Sequence, residues 1–378
     1  MLGKVDRNFM SPLPQYLFLM VFITLAQSCV FLDGGTAPPV PPLVAPSQYG
    51  KEIAALQDAD LYVCEAIPEP YTGPLNFSSK YEGSGKSRSA LNKQAAEKYH
   101  QQTSRIFQFE KNLIRMSEQY IRTGEKKAAN CLMLNIDLWA KSSALLSNDI
   151  NQVGQSVRKW VLASAGIAYL KVMQSKPDYS FEDPGRQKRI LNWFDVLSTE
   201  VIGYYSNRPL NKVNNHDYWA AWAVMVSAIN LNDQARFNWA ILKYRQGISQ
   251  IDKEGILPNE LRRANRALQY HNFAMQPLIM LSGFIKSNGA VLTDKEEEAL
   301  VRLAERVVAG IQDNTFFENS TGVNQNTKNL DSSWSLAWLE PFTHYYDSDK
   351  VRNFKPTAVR PYFSTRLGGE LTKLFGNP

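Results

Sequence analysis

Thr293-Asp-Lys-Glu-Glu-Glu-Ala-Leu-Val-Arg-Leu-Ala-Glu-Arg-Val-Val-Ala-Gly-Ile-Gln-Asp313 decides the fold class. Thr293 and Glu296 stand three apart, the spacing of a capping box at a helix start. Behind them Leu300, Leu303 and Val307 recur at three-and-four spacing, which puts them on one helical face. Working outward, the same spacing runs through 89–123, 128–146, 153–175, 186–204, 217–230, 235–251, 260–270 and 276–288. Asn232-Asp-Gln-Ala235 reads as a further cap. Alternating β-branched runs are nearly absent, so the sequence predicts an all-α protein. Medium helices joined by short connections suggest an array of α/α hairpins, either a solenoid or a closed toroid with a cleft on one face. No fixed period is present, which argues against TPR or HEAT repeats. No linker beyond residue 89 separates two domains.

Composition agrees with one sizeable globular core. The 378 residues are 44% hydrophobic and 21% charged, which excludes global disorder. Lys and Arg number 42 against 36 Asp and Glu, a net +6 that is scattered rather than run together. That suits an acidic partner and excludes a nucleic-acid footprint. Eight Trp, 17 Tyr and 18 Phe are many for a chain of this length. Aromatic rings beside cations suit a polyanionic sugar chain, although aromatics also simply fill cores.

The N-terminus reads as an export signal. Lys4 and Arg7 precede the apolar run Tyr16–Leu25, and the small residues Ala26-Gln-Ser28 follow. The run is short for a membrane span, and no other stretch could supply one. We read residues 1–28 as the signal, with cleavage after Ser28 or nearer Ala37. Cys29 stands where a lipoprotein cysteine would, but Ala26 is a poor match three places before it. Residues 29–66 form a leader, proline-rich over 37–46 and extended or disordered. Residues 67–378 are the main domain. Export implies an oxidising compartment. With Cys29 set aside, Cys64 and Cys131 are expected to form one disulfide.

Three segments carry possible chemistry. In Asn214-Asn-His-Asp-Tyr-Trp219, His216 sits at a loop-to-helix junction where a side chain can face a cleft; equally, an Asn there can merely cap the helix. In 256–272, Arg263, Arg266 and Tyr270 fall at i, i+3 and i+7 of an expected helix, hence on one face. Guanidiniums pair with carboxylates, and a nearby cation lowers a tyrosine pKa. Lys80-Tyr-Glu-Gly-Ser-Gly-Lys-Ser-Arg88 is a basic, glycine-rich loop, either a lid or ordinary flexible surface. No HExxH, Cys/His cluster or acidic calcium loop occurs, so no metal site is expected. Gly83-Ser-Gly-Lys-Ser87 lacks the full phosphate-loop pattern and follows no strand.

Those same segments resemble the periplasmic mannuronate-specific alginate lyases, polysaccharide lyase family 5. The likeness lies in Asn214–Trp219, in Leu257–Leu261 with Arg266–Asn272, and in Tyr71-Thr-Gly73 with Ser79–Gly83. It extends to Arg158-Lys-Trp160, Ala337-Trp-Leu-Glu-Pro341 and Arg366-Leu-Gly-Gly-Glu370. It implies an incomplete (α/α) toroid and a periplasmic enzyme acting on alginate, with the proteins of alginate synthesis and export as further partners. By the same likeness His216 and Tyr270 are catalytic, and Asn215 and Arg263 neutralise the substrate carboxylate. Lys80, Tyr81, Arg88, Arg266 and Trp219 are expected to contact the sugar chain. The Cys64–Cys131 pair resembles a family disulfide. Tyr270 is the expected acid; whether His216 or Tyr270 is the base stays open. The reaction, β-elimination at the 4-O-glycosidic bond, calls for no metal or organic cofactor. The alternatives are a toroid lyase or hydrolase for another acidic polysaccharide, or a non-catalytic polymer-binding scaffold.

Overall fold

The structure is a computed structural model that describes residues 41–50, 62–175 and 183–376. The signal, Cys29 and most of the leader lie outside the described residues. Thirteen helices follow in order among those described. They are α1 Lys93–Thr123, α2 Lys126–Lys141, α3 Gln152–Ser175, α4 Pro184–Tyr205, α5 Asn215–Leu231, α6 Gln234–Ile248 and α7 Pro258–Leu261. After these come α8 Ala267–Ser287, α9 Asp294–Gln312, α10 Thr315–Thr321, α11 Leu339–Tyr345, α12 Asp349–Phe354 and α13 Leu371–Phe375. The only strands among the described residues are β1 Phe363–Ser364 and β2 Gly369–Glu370, an antiparallel pair.

Helices pair as hairpins, α1 with α2, α3 with α4, α5 with α6 and α8 with α9. The first member of each pair packs on the next first member: α1 on α3, α3 on α5, α5 on α8. Four hairpins thus curve into an incomplete (α/α) toroid with α1, α3, α5 and α8 inside. The sequences of inner and outer helices differ accordingly. α5 is apolar almost all round and buried along nearly its whole length, as an inner helix must be. α9 buries only one stripe, including Leu300, Leu303 and Val307, and turns its charges outward. The capping box of Thr293 and Glu296 forms as read, and Asp233 caps α6. No helix among the described residues is long and apolar enough to cross a membrane.

Two features differ from the sequence reading. The leader, read as extended or disordered, has no regular structure over 41–46 but makes a short turn over Ser47–Gly50 and is tied to the helices. Leu43 N–H donates to the Asn232 side chain, Val44 N–H to that of Asn288, and Tyr49 is buried. The Cys64–Cys131 disulfide, with Cα atoms 5.8 Å apart, ties the following segment to α2. Secondly, the helix expected over 260–270 is broken. α7 stops after Leu261, Ala264 adopts φ +50°, and α8 begins at Ala267 and runs through Tyr270 to Ser287. The break persists because distant groups satisfy the freed backbone. The Gln325 amide donates to Ala264 O and accepts from Leu268 N–H, and Asn326 N–H donates to Asn265 O.

Candidate active site

Asn214 caps α5, accepting from His216 N–H at 3.0 Å while Asp217 accepts from Asn214 N–H, a reciprocal box. The first turn of α5 therefore presents Asn215 and His216 at the mouth of the ring. Asn215 donates through its backbone N–H (2.5 Å) and its Nδ2 (2.9 and 3.1 Å) to the fully buried carboxyl of Glu260. Its Oδ1 has no partner. Burial pushes the Glu260 carboxyl above the usual range, against the pull of the Asn215 hydrogen bonds and Arg263. Because Glu260 holds Nδ2, Asn215 can donate to a substrate carboxylate only by loosening that bond.

His216 is half-buried. Its Nδ1 lies 3.1 Å from Lys159 Nζ and 3.2 Å from Ser156 Oγ, and Trp160 stacks beside the ring. Burial, then the cations Lys159, Arg263, Arg208 and Arg88, hold the imidazole well below its ordinary range. It is neutral at pH 7.

Tyr270, one turn into α8, meets Arg263 across the break. The Arg263 guanidinium lies 3.6 Å from the Tyr270 ring centroid. The two were expected to meet on one helical face. They meet instead across the break, where Ala264 adopts a left-handed φ and opens a short 3-10 turn before α8. Tyr270 also donates to the Tyr81 hydroxyl at 3.1 Å. The expected lowering of its pKa does not win: burial pushes the phenol above its ordinary value, Arg263 opposes this, and Tyr81 adds to it. Tyr270 holds its proton in the free protein.

The loop 79–92 crosses the cleft and is clasped there. Arg263 Nη2 donates to Arg88 O and Arg266 Nε to Ser89 O, both at 2.7 Å. Arg88 donates in turn to Gln152 and Ser79. Arg266 also stands 5.1 Å from the Tyr81 ring centroid. Lys80 lies over the Tyr99 ring, and burial, then Arg366, lower its amine from the ordinary value.

Lys80, Tyr81, Arg88, Asn215, His216, Arg263, Arg266 and Tyr270 thus line one open cleft of about 690 Å³. Among the described residues ten Lys and Arg face it and no Asp or Glu does. Trp219 departs from the expectation. It is 1% exposed, packs on Phe273 with ring centroids 5.1 Å apart, and borders a smaller adjoining pocket instead. One turn beyond His216 on a helix buried all round, its side chain has only the core to enter.

Sequence reasoning missed Lys159, Glu260 and Arg366 as members of the site. Arg366 reaches the cleft from the β1–β2 turn, its guanidinium 3.9 Å from the Trp160 ring centroid. Lys159 and Arg366 lie inside segments that carried the family likeness, but no spacing links either to His216. Among the described residues no group of three or more His, Cys, Asp or Glu could hold a metal ion.

Comparison with known proteins follows the same lines. Residues 76–317 match the family described as alginate lyase. Over 335 residues the chain is 39% identical to an alginate lyase of Pseudomonas fluorescens (strain SBW25), covering 88% of this chain and 90% of that one. An alginate lyase of Cobetia marina is 39% identical over 312 residues, 82% of this chain and 83% of the relative. Among solved structures, a histidine-to-alanine variant of alginate lyase A1-III complexed with a tetrasaccharide superposes with a TM-score of 0.73. It is 23% identical, over 84% of this chain and 87% of that one. Alginate lyase A1-III from Sphingomonas species A1 gives a TM-score of 0.70, also at 23% identity, over 84% and 88%. At that identity the likeness shows the shared fold.

Proposed function

The chain belongs to the alginate lyase family, and we propose that it cleaves the mannuronate blocks of alginate by β-elimination. The observation that carries this reading is the cleft that gathers ten cationic residues, His216 and Tyr270 with no carboxylate among the described residues. A polyuronate is attracted along its length. A hydrolase built on paired carboxylates has nothing to work with there.

The chemistry assigns the roles. The C5 proton of a uronate is hard to remove while its carboxylate keeps full charge. Arg263 supplies the neutralising cation and stabilises the enolate-like intermediate. Asn215, tethered by Glu260, backs the same position. The C5–H bond breaks and its proton passes to a base; the C4–C5 double bond forms as the C4–O4 bond breaks; O4 leaves with a proton. Tyr270, which enters with its proton on, is the acid for O4. In mannuronate H5 and O4 share one face of the ring, so two arrangements serve. Either neutral His216 takes H5 and Tyr270 gives its own proton to O4, or Tyr270 first loses its proton to solvent as the substrate binds, takes H5 as the phenolate and passes that proton to O4, while His216 stabilises charge. Lys80, Tyr81, Arg88 and Arg266 bind the flanking sugars under the loop.

The same reading puts the enzyme in the periplasm, sent there by residues 1–28, beside the proteins that make and export alginate. Residues 67–378 are its catalytic domain.

Ultraviolet absorbance of the unsaturated product tests the proposal, with polymannuronate, polyguluronate and chondroitin in parallel. A rise confined to polymannuronate is expected. Tyr270→Phe should lose at least about 10³-fold in turnover and keep polymer binding. Near-normal turnover in that variant, or a rise only on another polymer, would overturn the assignment.

A further inference from the structure

Lys159 is fully buried on inner helix α3, behind His216 as seen from the cleft, and belongs to no step derived above. An ammonium or amine in such a place needs acceptors for its N–H groups. No carboxylate among the described residues lies within ion-pairing distance of it. Its hydrogen-bond partners are two: the Tyr205 hydroxyl at 2.6 Å and His216 Nδ1 at 3.1 Å. The stem is fixed as well, since Nζ sits 4.5 Å from the Tyr205 ring centroid and 5.6 Å from that of Trp160.

Ser156 Oγ, the other neighbour of Nδ1, can both donate and accept, so it fits either tautomer of the ring. A proton on Nδ1 would face the N–H groups of a charged Lys159 and deprive the lysine of one of its two acceptors. A lone pair on Nδ1 satisfies both residues. Nε2, which makes no hydrogen bond to the described protein, then carries the ring proton.

From this geometry we propose that Lys159 is a positioning residue for His216. By donating to Nδ1 it fixes the plane of the imidazole and sets the tautomer in which Nε2–H is the hydrogen-bond donor available to the substrate, so that His216 stabilises charge and, of the two arrangements above, the one in which Tyr270 serves both steps is selected. The donor role belongs to the ammonium, which has no lone pair to accept Nδ1–H; a neutral amine could accept that proton instead, and a protonated Nδ1 is the outcome that would report it. For its catalytic consequence the inference rests on the lyase reading; the tautomer itself does not.

Histidine-labelled (15N) full-length protein at pH 7 tests it, through long-range proton–nitrogen correlation. The His216 signals are assigned by their loss in His216→Gln. An Nε2–H tautomer with an unprotonated Nδ1 is expected; a protonated Nδ1 in the wild-type protein would overturn the proposal, whatever any variant does. Lys159→Met should abolish the fixed tautomer and lower kcat about 10- to 100-fold, with KM for polymannuronate within about twofold. A folded Lys159→Met with unchanged tautomer and kcat also overturns it. Wild-type protein that shows the expected tautomer but no turnover on polymannuronate would sink the lyase reading instead.

Discussion

Two histidines, His216 and His271, are both enclosed and both held below their ordinary pKa by burial, yet they are spent differently. His271 is fully buried on α8, next to Tyr270. Its Nδ1 donates to Ala267 O at 2.8 Å and its Nε2 accepts from Leu257 N–H at 2.9 Å, so both nitrogens are used up by backbone. Burial takes its pKa down to about 4. It ties the start of α8 to the residue before α7 and so braces the break that aims Arg263. His216 commits one nitrogen to Lys159 and Ser156 and leaves the other unbonded in a cationic cleft. Burial alone therefore does not mark a working histidine; an uncommitted nitrogen facing open space does.

The sharpest way to break that contrast is to delete each ring. His216→Ala should lower kcat about 10³-fold while the unfolding temperature stays within a degree or two. His271→Ala should do the reverse. It leaves the Leu257 N–H unpaired over a cavity, costs about 3 kcal/mol of stability, and lowers kcat less than about tenfold. Turnover assays and thermal melts on both variants decide. A kcat collapse in His271→Ala with an unchanged melt would erase the distinction.

A smaller effect lies in the pH dependence of stability. The folded pKa of His271 is below the ordinary value, so the unfolded chain takes up the proton first as pH falls. Stability from His271 is complete above about pH 6.5 and declines until about pH 4. It amounts to about 2 kcal/mol lost by pH 5. Denaturant titrations of wild type and His271→Gln should show the shallower slope in the variant; equal slopes would mean that His271 is not the neutral, backbone-locked group described. The smallest effect separates the two sites by screening. Raising salt from about 0.05 to 0.5 M should increase KM several-fold through the exposed cations of the cleft and leave the His271-linked slope alone. A salt-independent KM would count against the cationic cleft.

Much of this was legible in residue order. The capping box at Thr293, the cap read at Asn232–Ala235 and the three-and-four spacing locate most of the longer helices to within a few residues, because caps and spacing are contacts between near neighbours. The loop 80–88 announced itself by glycine and charge. The segment 260–270 did not, because its helical spacing is real but is overruled by Gln325 and Asn326, some sixty residues on. Arg263 and Tyr270 still met, through a turn rather than along a face.

The sequence by itself determined the helical class, the likeness that pointed to a lyase, the pairing of Cys64 with Cys131 and the excess of cations. Local spacing, composition and motif are enough for those. Only the tertiary structure decided that no carboxylate among the described residues faces the cleft, that Trp219 turns into the core and that burial outweighs Arg263 at Tyr270. It also decided that Arg366 arrives from the far end of the chain and that Lys159 stands behind His216. Each of these depends on which distant groups exclude water from, or donate to, a given atom. That is a property of packing between helices, not of spacing along any one of them.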